Sequence, residues 1–317
     1  MNDSARSGDF TYRLDVNWAK LPDGWSFFDV VDIAIDSQDN VYVFCRGEHP
    51  LIVFDKNGNF LYSWGEGFFK RPHGVTIAAD GSLYLADDKG HVIHKISRDR
   101  ELVFTLGTGQ PAPFHGGEPF NLPTKVALEP ETGAIYVSDG YGNARIHKYS
   151  ASGERLFSWG RTGSDAGEFS LPHSVCTDRQ GRVYVADREN HRIQVFDDTG
   201  RYITQWNNMY RPCGLFATQD DPQLLIVGEL PPTMDFMNGI PNLGARVVIY
   251  DLKGKRLAAF GETLPGDELP FQFWAPHGLA TDSCGNLYVG EVSHALYGIN
   301  SAPQPWTRRC FRKMVRI

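Results

Sequence analysis

The stretch ADGSLYLADDKGHVIHKI, residues 79–96, holds two runs of alternating apolar residues separated by a polar turn. Gly81 opens the first run, and Tyr84 sits at its centre. Side chains of a strand alternate between its two faces, so this pattern reads as strand, turn, strand. It recurs in ETGAIYVSDGYGNARIHKY (131–149), RQGRVYVADRENHRIQVF (179–196), SCGNLYVGEVSHALYGI (283–299) and SQDNVYVFCRGEHPLIVF (37–54). Around this centre each unit starts with an apolar stretch such as GVTIAAD (74–80). Most units close on a Gly, as in LYSWG (61–65), FTLG (104–107), LFSWG (156–160) and AAFG (258–261). One unit thus holds four short strands over about 40 residues, the period of a propeller blade.

Six such units predict an all-β fold, a six-bladed β-propeller with four-stranded blades around a central channel. The blades run roughly over 28–65, 69–107, 120–160, 169–206, 209–261 and 273–317 of a single 1–317 domain. The fifth is the most degenerate and carries the insertion ELPPTMDFMNGIPNLGA (229–245). FTYRLDVNW (10–18) and RRCFRKMVRI (308–317) both read as strands, one or both completing the last blade. Closing the ring removes the unpaired edges that an open array of sheets would expose.

Composition narrows the function. The net charge is −7 with acids and bases interspersed, which lacks the basic stripe of a nucleic-acid binder. No run of about 18 apolar residues offers a membrane span. Five cysteines, an odd number without Cys-x-x-Cys, argue against a disulfide framework or a thiolate metal site. The opening MNDSARSGDF has no apolar segment of a secretory signal, so a cytoplasmic location is expected. The expected partner is a small molecule, with no role for nucleic acid or membrane.

Ten histidines occur, and three follow a proline: His73 in RPHGV, His173 in LPHSV and His277 in APHGL. Each precedes the central Tyr of its blade (Tyr84, Tyr184, Tyr288) by 11 residues. They therefore share one structural position, at the start of the innermost strand of blades two, four and six. The other blades carry Val31, Thr124 and Cys213 there. Repeats copy residues without function, but a copied His would also appear in adjacent blades. Alternate blades bring three imidazoles toward one axis, a three-nitrogen set with one side open. Zinc is the preferred ion for such a set, and other divalent transition metals also suit imidazole.

Loops between second and third strands open on the same face. Arg46 in CRGEHP (45–50) could hold a substrate carboxylate through its planar fork. Tyr141 in DGYGNAR (139–145), beside a divalent cation, could serve as general base. Neither matches its equivalents in other blades, which sets both apart from the repeat. Asp187 and Arg192 read instead as a tie within their blade. His94 and His147 read as half-exposed strand residues.

RENHRIQVF (188–196) resembles the hallmark of the NHL repeat family. The segments VFCRGEHP (43–50), PHGVTIAADGSLYLAD (72–87), LPTKVALEPETGAIYVSDGYGNARI (122–146), LPHSV with VADRENHRIQVF, and PHGLATDSCGNLYVGE (276–291) resemble the peptidyl-α-hydroxyglycine α-amidating lyases, in the same order. The resemblance implies zinc on His73, His173 and His277, catalytic roles for Tyr141 and Arg46, and cleavage of an N–C(OH) bond that releases an amide and glyoxylate. It also implies a structural Ca2+ on the carbonyls of Ile33 and Val75 and on an acid after the third His. That position is Gly278 here, which leaves the calcium set short of its acid. The family's Cys after the tyrosine is Gly142.

The sequence leaves three readings: a zinc lyase acting on an α-hydroxy-amide small molecule; a metal-dependent hydrolase or lactonase using zinc-bound water, whose pKa falls to about 7; and a non-catalytic NHL scaffold that binds through one face.

Overall fold

A computed structural model describes residues 4–116, 119–262, 264–297 and 308–317. The chain is a six-bladed β-propeller of antiparallel sheets. Blade one contains Val30–Ile35, Val41–Cys45, Leu51–Phe54 and Phe60–Trp64; blade two Pro72–Ile77, Leu83–Asp87, Val92–Ile96 and Leu102–Leu106. Blade three contains Pro123–Leu128, Ile135–Asp139, Arg145–Tyr149 and Arg155–Trp159; blade four Pro172–Thr177, Val183–Asp187, Arg192–Phe196 and Tyr202–Trp206. Blade five contains Pro212–Ala217, Leu224–Glu229, Arg246–Asp251 and Arg256–Gly261.

Blade six starts with Pro276–Thr281 and Leu287–Glu291, continues in Phe311–Arg316 and is extended by Phe10–Asp15 and Ser4–Ser7. Both segments read as closing strands thus lie in this sheet, and Ser4–Ser7 adds a fifth strand that the non-alternating SARS does not announce. The five-residue helix Ser293–Tyr297 is a further departure from the strand expected there. Residues 298–307, counted within blade six, lie outside the described residues. Among the described residues no helix is long and apolar enough to cross a membrane.

Two compact units make up the chain, residues 67–217, and residues 1–66 with 218–317. In the first, the sheets pack face to face. Tyr84, Ile93, Phe120, Val126, Val137 and Tyr149 form one apolar cluster, and Tyr136, Ile146, Phe169, Val175, Val185 and Phe196 the next. In the second, Trp18 follows the closing strand and packs on Phe54, Tyr288 and Phe311, with ring centroids 5.7, 5.1 and 5.8 Å away.

A buried acid ends the second strand of five blades: Asp87, Asp139, Asp187, Glu229 and Glu291. In four of them it accepts backbone N–H groups from the segment entering the inner strand. Asp87 takes Lys70 and Arg71 at 2.8 Å, Asp139 takes Asn121 at 3.0 Å, Asp187 takes Ser170 at 2.7 Å and Glu291 takes Trp274 at 2.6 Å. Third-strand side chains pair with these acids: His147 with Asp139 at 3.1 Å, Arg192 with Asp187 at 2.8 Å, Arg246 with Glu229 at 2.7 Å and Arg312 with Glu291 at 2.6 Å. Asp187 and Arg192 do form the tie the sequence suggests. His147 does not sit half-exposed; it is fully buried between Asp139 and Ser158, whereas His94 is half-buried as expected.

Asp187→Ala would strand Arg192, which is 6 % exposed, without its carboxylate. A loss of about 3–5 kcal/mol is expected, read by urea unfolding.

All five cysteines are free. Burial pushes the thiols of Cys45 and Cys213 up to about 11 and that of Cys310 up to about 12, so they stay protonated and unreactive at pH 8. Burial also raises the Cys176 thiol, while Cys284 is exposed. Iodoacetamide at pH 8 is expected to label Cys284 alone in the native protein, as counted by intact-mass spectrometry.

Candidate metal centre and its tyrosine

Each of the three histidine-bearing inner strands starts with a β-bulge. In blade four Pro172 pairs with Asp187 and Ser174 with Ala186, so His173 is the extra residue. In blade six Pro276 pairs with Glu291 and Gly278 with Gly290, which makes His277 the extra residue. Blade two shifts register between Pro72 and Val75, around His73. A bulge re-aims the side chain it releases from the ladder. The proline just before it sits at the strand's first position, where its missing N–H breaks little of the ladder.

All three imidazoles are buried, at 2 %, 1 % and 6 % exposure for His73, His173 and His277. Each Nδ1 meets a backbone carbonyl: His73 that of Thr124 at 2.9 Å, His173 that of Cys213 at 3.0 Å, His277 that of Val31 at 2.5 Å. A carbonyl only accepts, so Nδ1 carries the proton and Nε2 presents its lone pair. This is the tautomer that ligates metals, fixed from behind. His73 and His173 lie in the unit of residues 67–217 and His277 in the other, and all three are side chains of a type that could hold a metal ion.

Tyr141 adds the strongest constraint. Its Oη lies 3.1 Å from His73 Nε2 and 2.9 Å from His173 Nε2. Both nitrogens are acceptors, and the phenol has one proton to give. One of the two contacts is therefore lone pair against lone pair, and a cation among these atoms would relieve it. The residues present fit a divalent metal on this ground. Tyr141 is held here by Gly140, where a Cβ would fall 2.2 Å from the Pro172 carbonyl oxygen. The loop can press onto the residue next to His173 only because position 140 has no side chain.

Two guanidiniums lie over the Tyr141 ring, Arg188 with Cζ at 5.6 Å and Arg71 at 5.8 Å from its centroid. Arg188 Nε bonds Glu189 at 2.7 Å, and Glu189 also holds Arg211 Nη2 at 2.9 Å. Burial works against the Arg188 charge, but the Tyr141 phenol, the Cys213 thiol and Glu189 hold its ionisation above the ordinary arginine value. Burial opposes Arg71 too, and Asp88 and Tyr141 outweigh it. Cys213 Sγ lies 3.3 Å from His173 Nδ1. Sequence reasoning missed Arg71 and Arg188. A signal for Arg188 was available: the residue after the second strand is Asp88, Gly140, Leu230 or Val292 in four blades and an arginine in two, Arg46 and Arg188, so Arg46 does have an equivalent, contrary to the sequence expectation, and the pair marks one blade position.

The structure brings His73, His173 and Tyr141 together. Arg46 sits in blade one with Nη1 3.8 Å from Asp29 Oδ2, and lines a cleft of about 590 Å³ with Trp25, Phe28, Glu48 and His49. The two carbonyls proposed for calcium are strand groups. Ile33 lies opposite Val43 in the ladder, and the Val75 carbonyl accepts from Lys125 Nζ at 2.8 Å, an ammonium where the calcium reading needs the ion. A Cβ at Gly278 would lie 2.4 Å from Asp32 Cα, so the acid that a calcium set would need has no room. Gly278→Ala is expected to cost about 1–3 kcal/mol through this overpacking, read as a lowered melting temperature.

The NHL repeat family model matches residues 169–196, the segment that carries His173, Asp187 and Arg188. Human NHL repeat-containing protein 3 is 37% identical over 246 residues, covering 72% of this chain and 69% of that protein. Rat peptidylglycine alpha-amidating monooxygenase is 29% identical over 333 residues, covering 90% of this chain and 31% of the rat protein. Drosophila melanogaster peptidyl-alpha-hydroxyglycine alpha-amidating lyase 1 is 31% identical over 267 residues, 77% of this chain and 47% of that protein. The chain thus spans less than half the length of these two amidating relatives. A streptogramin B lyase structure superposes with a TM-score of 0.57 at 12% identity over 98% of this chain and 87% of that one, a likeness of fold alone. By its repeat, its blades and its match to NHL repeat-containing protein 3, the chain belongs to the NHL-repeat family of β-propellers.

Proposed function

We propose that this protein is a metal-dependent carbon–nitrogen lyase of the amidating-lyase type, with His73, His173 and His277 holding a divalent ion, zinc by preference, and Tyr141 as the catalytic base. The observation that carries this reading is the Tyr141 hydroxyl within 3.1 Å of two imidazole Nε2 atoms whose Nδ1 atoms are tied to carbonyls. The amidating relatives support the same chemistry.

The substrate class is a small α-hydroxy amide bearing a carboxylate, R–CO–NH–CH(OH)–COO⁻. A bound divalent ion would supply positive charge that favours ionisation of an oxygen beside it. Tyr141, as the phenolate that such a charge would favour, takes the hydroxyl proton as the carbinol C–O bond becomes C=O. The C–N bond breaks with its electron pair going to nitrogen, which takes that proton back from Tyr141, so an amide and glyoxylate leave with no water consumed and the phenolate is regenerated. Proton transfer by a positioned group contributes about 10²–10⁴-fold. Arg188, against the Tyr141 ring, and Arg46 are the cations offered to the carboxylate, each able to pair it through a planar fork.

The direct test incubates zinc-loaded protein with α-hydroxyhippurate. Equimolar glyoxylate and benzamide are expected. Turnover of a lactone or ester panel with no glyoxylate would overturn the lyase in favour of a hydrolase. A protein purified without stoichiometric transition metal and inert on every substrate would leave a binding scaffold.

A further inference from the structure

We propose that Arg71 is a specificity-determining residue that selects a substrate with a second anionic group, so that the preferred ligand is a dicarboxylate and not a neutral-tailed amide. This rests on the lyase reading for the identity of the first carboxylate but not for the second anion site.

Arg71 and Arg188 both lie over the Tyr141 ring, and each is anchored through Nε. Arg71 Nε bonds both oxygens of Asp88, at 2.6 and 2.9 Å, and the Asp88 carboxylate is fully buried. Nε is the one Arg71 guanidinium nitrogen with a partner among the described residues. A guanidinium held by its Nε edge keeps its terminal pair of nitrogens as a second, parallel-donor edge, the geometry that grips a carboxylate. The Arg71 side chain is 30 % exposed against 11 % for Arg188, so it is the more accessible of the two.

Arg71, Arg188 and Arg211 stand among three carboxylates, Asp88, Glu189 and Asp87, so the charges cancel before any metal binds, and a divalent ion would supply the positive excess that a dianion answers. The scaffold does not require an arginine here. Position 71 lies two residues before the inner-strand histidine of its blade; the matching residues are Asp29, Leu122, Leu171 and Ala275 in four other blades, and blade five has Arg211, whose terminal nitrogen is taken up by Glu189 at 2.9 Å. A blade closes there without a cation. One carboxylate on Arg188 and another on Arg71 would leave the reacting carbon beside the Tyr141 hydroxyl.

The experiment titrates metal-loaded protein by calorimetry with two unreactive ligands, N-succinylglycine, which carries two carboxylates, and N-acetylglycine, which carries one. The dicarboxylate is expected to bind at least about tenfold tighter, the scale of one added charge-assisted pair. Arg71→Gln should bring that ratio toward one, and Arg71→Lys, which keeps charge without the fork, should fall between. The double variant Arg71→Gln/Asp88→Asn removes the buried acid with its partner, and should give the same low ratio should Arg71→Gln alone fold poorly. Equal affinities in the wild type, or a ratio that survives Arg71→Gln, would overturn the proposal. Because the ligands do not react, the tenfold preference can hold while no substrate yields glyoxylate, in which case the lyase reading fails and the dianion site stands. Glyoxylate from α-hydroxyhippurate without any dicarboxylate preference separates the two the other way.

Discussion

His173→Ala is expected to cut bound zinc from about one equivalent per chain to below about a tenth after dialysis, measured by plasma mass spectrometry. The estimate follows from the donor set. Removing only the hydrogen-bond partner behind a ligand imidazole costs about 10–100-fold in metal affinity, and removing the imidazole itself costs more. In the proposed centre the His173 side chain would supply one of three ligand nitrogens, and its Nδ1 is the group bonded to the Cys213 carbonyl at 3.0 Å. A buried histidine outside the set is the control. His147 is fully buried too, but both its nitrogens are used, by Ser158 at 2.8 Å and Asp139 at 3.1 Å. His147→Ala should lower stability by about 1–3 kcal/mol and leave the zinc content intact. If His173→Ala keeps its metal while His147→Ala loses it, the three-histidine centre is wrong.

The blades were legible because alternation and turn residues are local, and because a repeat states each feature several times. Tyr84, Tyr136, Tyr184 and Tyr288 mark one strand position, and all four are buried as that position requires. The shared 11-residue spacing put the three histidines in register before any coordinates, since strand, turn and strand have fixed lengths within a blade. What spacing could not give was the bulge. One extra residue in an inner strand changes which way His173 points without disturbing the alternation after it. The tautomers were beyond reach for the same reason, because they depend on a carbonyl from a strand 40 residues on in the case of His173.

Charged side chains were the least legible. Arg188 and Arg192 sit four positions apart, in a turn and at the start of the strand that follows it, yet Arg192 ends on Asp187 as a tie while Arg188 ends over Tyr141. Composition treats them alike, and only their partners tell them apart. His147 was misjudged because an imidazole is as much at home on a half-wet strand as against a buried acid; Asp139, eight residues earlier, decides it. Gly278 shows the reverse case. Its departure from the resembling lyases was plain in the sequence, and the close Asp32 backbone gives the physical reason a side chain is excluded.

Tyr141→Phe is expected to lower glyoxylate release from α-hydroxyhippurate by about 10²–10⁴-fold, the range for losing a positioned proton acceptor. The fall should appear in kcat with little change in KM, since the hydroxyl is asked to act on the departing proton and not to bind the ground state. Zinc content should stay at one equivalent, because the three imidazoles and the carbonyls behind them are untouched. A second signature is thermal. Without metal the phenol is the proton donor that His73 and His173 share, at 3.1 and 2.9 Å. Its loss takes the phenol donor from one of these buried nitrogens, at a cost of about 1–3 kcal/mol. With metal bound, the same lone pairs are already engaged. Tyr141→Phe should therefore depress the melting temperature in the presence of a chelator and much less with zinc. A phenylalanine variant with wild-type kcat would remove Tyr141 as the base, and equal destabilisation with and without zinc would remove the shared lone pairs as the place where metal and phenol meet.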